Sequence, residues 1–151
     1  MTPPPNIAPP NILVVVARFY PDIADQLVAG ATAELERQGA TVEVADIMGA
    51  FELPAAVRVA HDCGRFDGYV ALGCVIRGET THYDYVCGES ARGLNELALR
   101  FGVAIGYGIV TTETREQAWE RAAVDRRNKG RDAAQACLRM VELRRRFAPA
   151  D

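Results

Sequence analysis

Long apolar runs are what this sequence most plainly lacks. None approaches the ~18 residues needed to cross a bilayer, so no membrane span is expected. The N-terminus, Met1-Thr-Pro-Pro-Pro, has no basic region followed by an apolar segment, which argues against a signal peptide. Together these absences suggest a cytoplasmic protein. Charge of one sign is scarce as well. Seventeen Lys and Arg against twenty Asp and Glu give a net charge of −3, too small to suggest nucleic acid or an anionic membrane as a partner. Cys-x-x-Cys pairs are missing. Of the four cysteines, Cys63, Cys87 and Cys137 fall in expected helices and Cys74 in an expected strand, mostly among apolar neighbours. They read as reduced packing residues, and the ligand spacing for zinc is absent. Only two histidines remain as candidates for proton transfer, His61 and His82.

What is present is the composition of one ordinary domain. The chain has 151 residues, 49% of them apolar, enough for a full core. Residues 1–10 carry five prolines and are expected to form an extended arm. Residues 11–151 are expected to form a single domain. Ile12-Leu-Val-Val-Val-Ala is apolar on both faces, as a central parallel strand must be. Pro21 suits the first position of a helix, Ile23, Leu27, Val28, Ala31 and Leu35 recur at helical spacing, and Gly39 stops it. Thr41-Val-Glu-Val alternates as a second strand. A loop, Gly49-Ala-Phe-Glu-Leu-Pro, leads into a second helix ending near Gly64.

Phe66–Ile76 reads as the third strand. Residues 82–101 read as a third helix with Val86, Leu94, Leu97, Ala98 and Phe101 on one stripe, closed by Gly102. Val103–Val110 reads as the fourth strand. Thr114-Arg-Glu-Gln is a capping box for a short helix. After Asn128-Lys-Gly, a last helix buries Ala134, Cys137, Leu138 and Val141, and places Arg144, Arg145 and Arg146 where a helix C-terminus favours cations. Strands alternating with helices predict a right-handed, all-parallel α/β sandwich with helices on both faces. Ligands of such sheets sit beyond the carboxyl ends of the strands, here Phe19-Tyr20, Met48–Glu52, Arg77–His82 and Thr111-Thr112.

The centre of the sequence is Gly73–Asp84. A buried strand turns there through Arg77-Gly-Glu-Thr-Thr into a helix. The free N–H groups of that helix start suit an anion, and Gly78 lets the backbone approach one. Thr81 and Asp84 fit a capping box, which starts the helix near His82. An imidazole beside an anion cradle suits proton transfer on a phosphorylated substrate. His61, inside the second helix, has no such context and reads as structural. Phe19 and Phe51 are either loop anchors or stacking faces for a planar heterocycle. Glu52 is either a solvated charge or an acceptor for ligand hydroxyls. Arg121, Arg126, Arg127, Lys129 and Arg131 are either a solvated surface or a phosphate contact. Residue patterns alone thus reach a cofactor-free α/β domain with a phosphate-and-ring site.

Five ordered strings go further: Gly49-Ala-Phe-Glu-Leu-Pro54, Gly73–Val86, Gly108-Ile-Val-Thr-Thr112, Gln117-Ala-x-x-Arg121-Ala and Asn128-Lys-Gly130. Through them, residues 11–147 resemble the lumazine synthase family of riboflavin biosynthesis. The resemblance implies a flavodoxin-like three-layer αβα sandwich with a four-stranded parallel sheet. It also implies condensation of 5-amino-6-(ribitylamino)uracil with 3,4-dihydroxy-2-butanone 4-phosphate, with no cofactor and no metal. By similarity, Phe19 and Phe51 flank the pyrimidine, Glu52 binds the ribityl chain, and Ala50, Cys74, Val75 and Ile76 complete that pocket. Glu79 and Thr80 offer N–H groups to the phosphate, and His82 moves protons. Tyr107, Arg121 and Lys129 match positions that a neighbouring subunit contributes, with Arg121 on the phosphate. An imidazole, titrating near 6.5 when unperturbed, can serve both water release and phosphate elimination.

Met48, Tyr20 and Asp125 depart from the family's usual residues, and none removes a proposed catalytic group. Two other roles fit the resemblance. One is a protein that only sequesters a lumazine or flavin; the other is primarily a shell subunit. The proline-rich arm cannot supply a regular ladder of N–H donors, which favours a free homopentamer, whereas the Ala122–Lys129 connection lacks the insertion that separates pentameric members from cages, which leaves a cage or paired pentamers as alternatives.

Overall fold

The computed structural model describes residues 8–149. The elements in chain order are β1 (Asn11–Ala17), α1 (Pro21–Arg37), β2 (Thr41–Ile47), a one-turn 3-10 helix (Ala50–Glu52), α2 (Leu53–Asp62), β3 (Gly68–Ile76), α3 (His82–Phe101), β4 (Ile105–Thr112), α4 (Arg115–Ala122) and α5 (Lys129–Arg146). All strands are parallel, in the order β2-β1-β3-β4. Because β1 and β3 carry helices on both faces, their side chains are apolar in both directions, and almost every residue of either strand is buried. One face packs Ile12, Val14, Val16, Val70 and Leu72 against α1, α4 and α5. The other packs Leu13, Val15, Tyr69, Ala71 and Ile109 against α2 and α3. This is the three-layer αβα arrangement that the pattern and the resemblance imply.

Right-handed crossovers fix where the layers sit. From β1 the chain moves one way, through α1, to the edge strand β2. It then returns over β1 through α2 to β3 and continues through α3 to the other edge, β4. The strand order therefore reverses between β1 and β3. On the α1 face, α5 lies close against β4. A Cβ at Gly106 would stand 1.9 Å from the Ala133 carbonyl oxygen, so only glycine allows that approach. The crossing of α5 over α1 is equally tight: a Cβ at Gly130 would lie 2.1 Å from the Leu27 carbonyl oxygen. Asn128, in the left-handed region at φ 51°, caps α5 by accepting the Arg131 N–H at 3.3 Å.

Glu34 stands out as a buried carboxylate in this layer. It accepts from Arg37 Nε and Nη2 at 2.9 and 2.7 Å, from Gln38 at 2.7 Å, and from Gln135 of α5 at 3.1 Å. The Arg37 hydrogen bonds outweigh burial and hold its carboxyl down at about 2.

Several boundaries differ from expectation. α2 ends at Asp62, because the Cys63 and Gly64 N–H groups turn back to Ala60 and His61. Cys63 is then exposed past the helix end and does not pack. β3 starts at Gly68, since Asp67 instead donates its N–H to Asn11. β4 is shifted two residues later, to Ile105–Thr112. Phe101 leaves the buried stripe of α3. Its ring is partly exposed under the Arg58 guanidinium at 4.7 Å, with His61 beside it. Leu138 is only half-buried.

Residues 1–7 of the expected proline arm lie outside the described residues. The end of that arm is tied down: the Ala8 carbonyl accepts from Arg145 at 3.0 Å, and the Pro10 carbonyl accepts the Thr41 N–H at 2.9 Å. Among the described residues, no helix is long and apolar enough to cross a membrane. No cluster of three His, Cys, Asp or Glu suited to a metal occurs among them.

Candidate active site

The reversal of strand order between β1 and β3 opens a crevice at the carboxyl edge of the sheet. Its geometry follows from the register. β1 pairs with β3 only as far as Val16↔Leu72, whereas β3 continues along β4 through Cys74↔Val110, Val75↔Thr111 and Ile76↔Thr112. On its β1 side, the backbone of Gly73–Ile76 therefore has no ladder partner among the described residues. This end of β3 thus runs past the β1 ladder, at the edge where ligands of such sheets sit. Side chains at this end of β3 point elsewhere. Cys74 and Ile76 face the α1 layer and Val75 the α2–α3 layer. Burial pushes the Cys74 thiol up to about 12, which leaves it neutral and unsuited to nucleophilic work.

Both rims carry an exposed aromatic ring. Phe19 follows β1 after Arg18 and meets Tyr20 edge-on, with ring centres 5.0 Å apart. Its backbone is held by Arg18, whose N–H donates to Ile47 and whose guanidinium pairs with Asp25 at 2.6 Å and Asp46 at 2.9 Å. After β2, the 3-10 turn buries Ala50 and leaves Phe51 and Glu52 exposed. The Glu52 carboxylate folds back over Gly49, where a Cβ would come within 2.9 Å of it.

The third wall is the β3–α3 turn. Gly78, Glu79, Thr80, Thr81 and His82 are all exposed, and Gly78 has open space around its Cα. The Glu79 and Thr80 N–H groups make no hydrogen bond among the described residues, as an anion cradle requires. Thr80 Oγ1 accepts the His82 N–H at 3.3 Å. The helix starts at His82 as expected, but the capping box does not form. Thr81 sits at φ −73°, ψ 0° and its hydroxyl caps nothing. Asp84 turns instead toward Arg77, at 3.5 Å. The Thr114–Gln117 box of α4, by contrast, forms in full.

The topology thus places Phe19, Ala50, Phe51, Glu52, the end of β3 at Cys74–Ile76, Glu79, Thr80 and His82 along the carboxyl edge of the sheet. Tyr107, Arg121 and Lys129 stay outside that group within a single chain. Tyr107 is on the edge strand β4, on the α2–α3 face, and burial raises its phenol. Arg121 donates to its own helix at the Gln117 carbonyl, 3.1 Å away. Lys129 opens α5, exposed. Among the described residues, no hydrogen bond or ion pair links these three to the crevice. Two surface concavities lie elsewhere, one along Arg92–Arg100 and one at Asp22, Arg115, Trp119 and Arg126, and neither is lined by His82.

Sequence reading missed two ion-pair links at this edge. Arg115 of α4 pairs with Asp22 of α1 and lies over the Tyr20 ring at 5.9 Å. Arg77 pairs with Glu113 across the β4–α4 turn. Each joins residues far apart in the chain, and no local pattern announces them.

The profile described as 6,7-dimethyl-8-ribityllumazine synthase matches residues 9–145. A protein of that name from Erythrobacter litoralis is 52% identical, over 91% of this chain and 97% of its own. Another from Azorhizobium caulinodans is 50% identical, over 90% of this chain and 87% of its own. A third, from Afipia carboxidovorans, is 45% identical over 95% and 91%. With the fold, the ordered strings and this similarity along almost its whole length, the chain belongs to the 6,7-dimethyl-8-ribityllumazine synthase family of enzymes.

Proposed function

We propose that the protein condenses 5-amino-6-(D-ribitylamino)uracil with 3,4-dihydroxy-2-butanone 4-phosphate. The products are 6,7-dimethyl-8-ribityllumazine, phosphate and water, in the penultimate step of riboflavin biosynthesis. One observation carries this reading. The end of β3 that runs past the β1 ladder leads through Arg77 straight into the exposed Gly78–His82 turn, with the Glu79 and Thr80 N–H groups unbonded among the described residues. A planar heterocycle held against that strand end, between Phe19 and Phe51, sets its amine beside a phosphate-bearing partner.

The chemistry divides along the crevice. Amine attack on the ketone forms an imine, and His82 donates the proton that lets water leave. Removal of a proton from the carbon beside the imine then expels phosphate, whose charge the backbone N–H groups stabilise. Ring closure by the ribityl-bearing nitrogen releases a further water. Ring stacking and Glu52, hydrogen-bonded to the ribityl hydroxyls, supply proximity and orientation.

The crevice is open in one chain, and acid–base work on a dianion gains from excluding water. Tyr107, Arg121 and Lys129 of a neighbouring subunit are proposed to close it, with Arg121 on the phosphate. The assembly proposed is a homopentamer in the cytoplasm. Exposed Met48, Val59 and Leu99, and the outer edges of β2 and β4, which have no ladder partner among the described residues, are surfaces that such contacts would cover.

The deciding experiment is to mix the two purified substrates with the protein and follow lumazine absorbance. Light scattering on the same sample reads the assembly. Product formed by a particle of five chains supports the proposal, and sixty chains would replace the pentamer with a cage. Binding of the pyrimidine without turnover would instead make the protein a sequestering relative.

A further inference from the structure

Arg77 has no part in the chemistry described so far, yet it is the most heavily engaged side chain at the mouth. Its own N–H donates to the Thr112 carbonyl at 2.9 Å. Its Nε meets Glu113 at 2.9 Å, its Nη2 meets Asp84 at 3.5 Å, and its guanidinium lies over the Tyr83 ring, 4.3 Å from the centre. Glu113 is itself anchored, because its N–H donates to Gln117 Oε1 of the α4 capping box at 2.9 Å. One planar cation therefore joins the end of β3, the first turn of α3 and the cap of α4.

The residues between its anchors are Gly78–His82, the exposed loop with the free N–H groups. Inside that loop the Thr81 hydroxyl caps nothing, and the Thr80–His82 contact is long at 3.3 Å. Little within the loop fixes its shape. The restraint comes from outside, where Arg77 grips Tyr83 and Asp84 immediately after His82. Arg77 also sits between two of the carboxylates nearest the mouth, Asp84 and Glu113, which unpaired would repel an arriving phosphate dianion. Its Nε and Nη2 are directed at Glu113 and Asp84 and its plane lies on the Tyr83 ring, which holds the guanidinium against the α3 and α4 sides of the mouth.

We infer that Arg77 is a positioning residue. It clamps the Gly78–His82 loop so that the Glu79 and Thr80 N–H groups are preorganised for the phosphate, and it cancels the carboxylates that would oppose that group. This rests on the proposed reaction and adds a prediction the reaction alone does not make. Losing Arg77 impairs the phosphorylated substrate selectively, although Arg77 does not touch it. A merely structural role would lower thermal stability and active fraction, and would leave both KM values alone.

The test uses the full-length assembled protein, with Arg77→Met and Arg77→Lys beside the native chain. Each substrate is varied separately, and inorganic phosphate is titrated by calorimetry. Arg77→Met is expected to raise KM for the butanone phosphate and weaken inorganic phosphate by about tenfold or more, the scale of one lost ordering contact in a binding loop. KM for the pyrimidine stays within about twofold. Arg77→Lys, keeping the charge without the fork or the planar stack, falls between. Unchanged butanone KM and phosphate affinity in an active Arg77→Met would overturn the clamp, as would equal losses for both substrates. Should Arg77→Met fail to assemble, Arg77→Lys decides by the same two readouts. Should the native chain make no lumazine, the reaction is refuted separately. The clamp is then judged on inorganic phosphate alone, and equal affinity, or none in the native chain, rejects it.

Discussion

Replacing Glu34 by Gln should cost stability only where the native carboxylate is charged. Glu34 is 6% exposed and accepts hydrogen bonds from Arg37, Gln38 and, across the α1–α5 contact, Gln135. Chiefly through Arg37, its carboxyl is held at about 2 against an ordinary 4.5. A folded value below the unfolded one means the folded state prefers the ionised form. Its contribution is complete above pH 4.5, shrinks as pH falls from 4.5 toward 2, and vanishes below. At about 1.4 kcal/mol per pH unit, that gap sets a ceiling of about 3 kcal/mol. Arg37 is 67% exposed, so solvent screening reduces the figure to about 1–2 kcal/mol.

The assay is urea unfolding of native and Glu34→Gln protein from pH 7 downward, at one fixed protein concentration because subunit association adds to apparent stability. Urea is chosen over guanidinium because the latter, a salt, would screen the ion pair. The gap should be about 1–2 kcal/mol at pH 7 and should close steadily below pH 4.5. A gap that persists unchanged in acid would mean the glutamine harms packing and the charge contributes nothing. No gap at pH 7 would refute the buried network altogether.

His82→Ala should slow turnover by about 10²–10⁴-fold, as for a lost general acid–base, with assembly intact by light scattering. His61→Ala, at a residue whose ring lies 6.4 Å from the Phe101 ring on the α2 side, should turn over nearly normally, and equal effects would remove His82 from its role. Arg121→Ala should weaken use of the butanone phosphate by about 1.5–3 kcal/mol, one charge-assisted contact, while pyrimidine titration is unchanged. Gly106→Ala should destabilise by about 1–3 kcal/mol or more, since its methyl would press on the Ala133 carbonyl at 1.9 Å; an unaltered melting temperature would show that α5 yields freely.

Much of the fold was legible because its signals are local. Pro21 and Gly39 bracket α1, Gly102 closes α3 in the left-handed region at φ 67°, and continuous apolar runs mark β1 and β3. The carboxyl edges of the strands, and hence the residues around the crevice, follow from those boundaries. Strand order does not, because no residue pattern in β1 states that β3 and not β4 lies beside it. Nor does the run of Gly73–Ile76 past the β1 ladder, which depends on β1 ending its pairing at Val16. The failed Thr81 cap shows a local rule losing to a tertiary one: Asp84 is drawn to Arg77, so its half of the box is unavailable. Arg77–Glu113 and Glu34–Gln135 join residues 36 and 101 positions apart, distances at which sequence periodicity carries no information.

Asn128, Lys129 and Gly130 look alike as a string, but the α1–α5 crossing treats them very differently. Asn128 is bound to a left-handed backbone and to its cap, and Gly130 to the Leu27 carbonyl. Lys129, between them, projects into solvent. The two flanks act as a bracket bolted to the scaffold, and the lysine as an exchangeable fitting on it. A randomised library at position 129 alone would return folded protein with a graded set of side chains delivered to one fixed place. A library spanning all three positions would mostly return chains that cannot close α5 onto α1. For an engineer, that makes position 129 adjustable without disturbing the α1–α5 crossing that carries it.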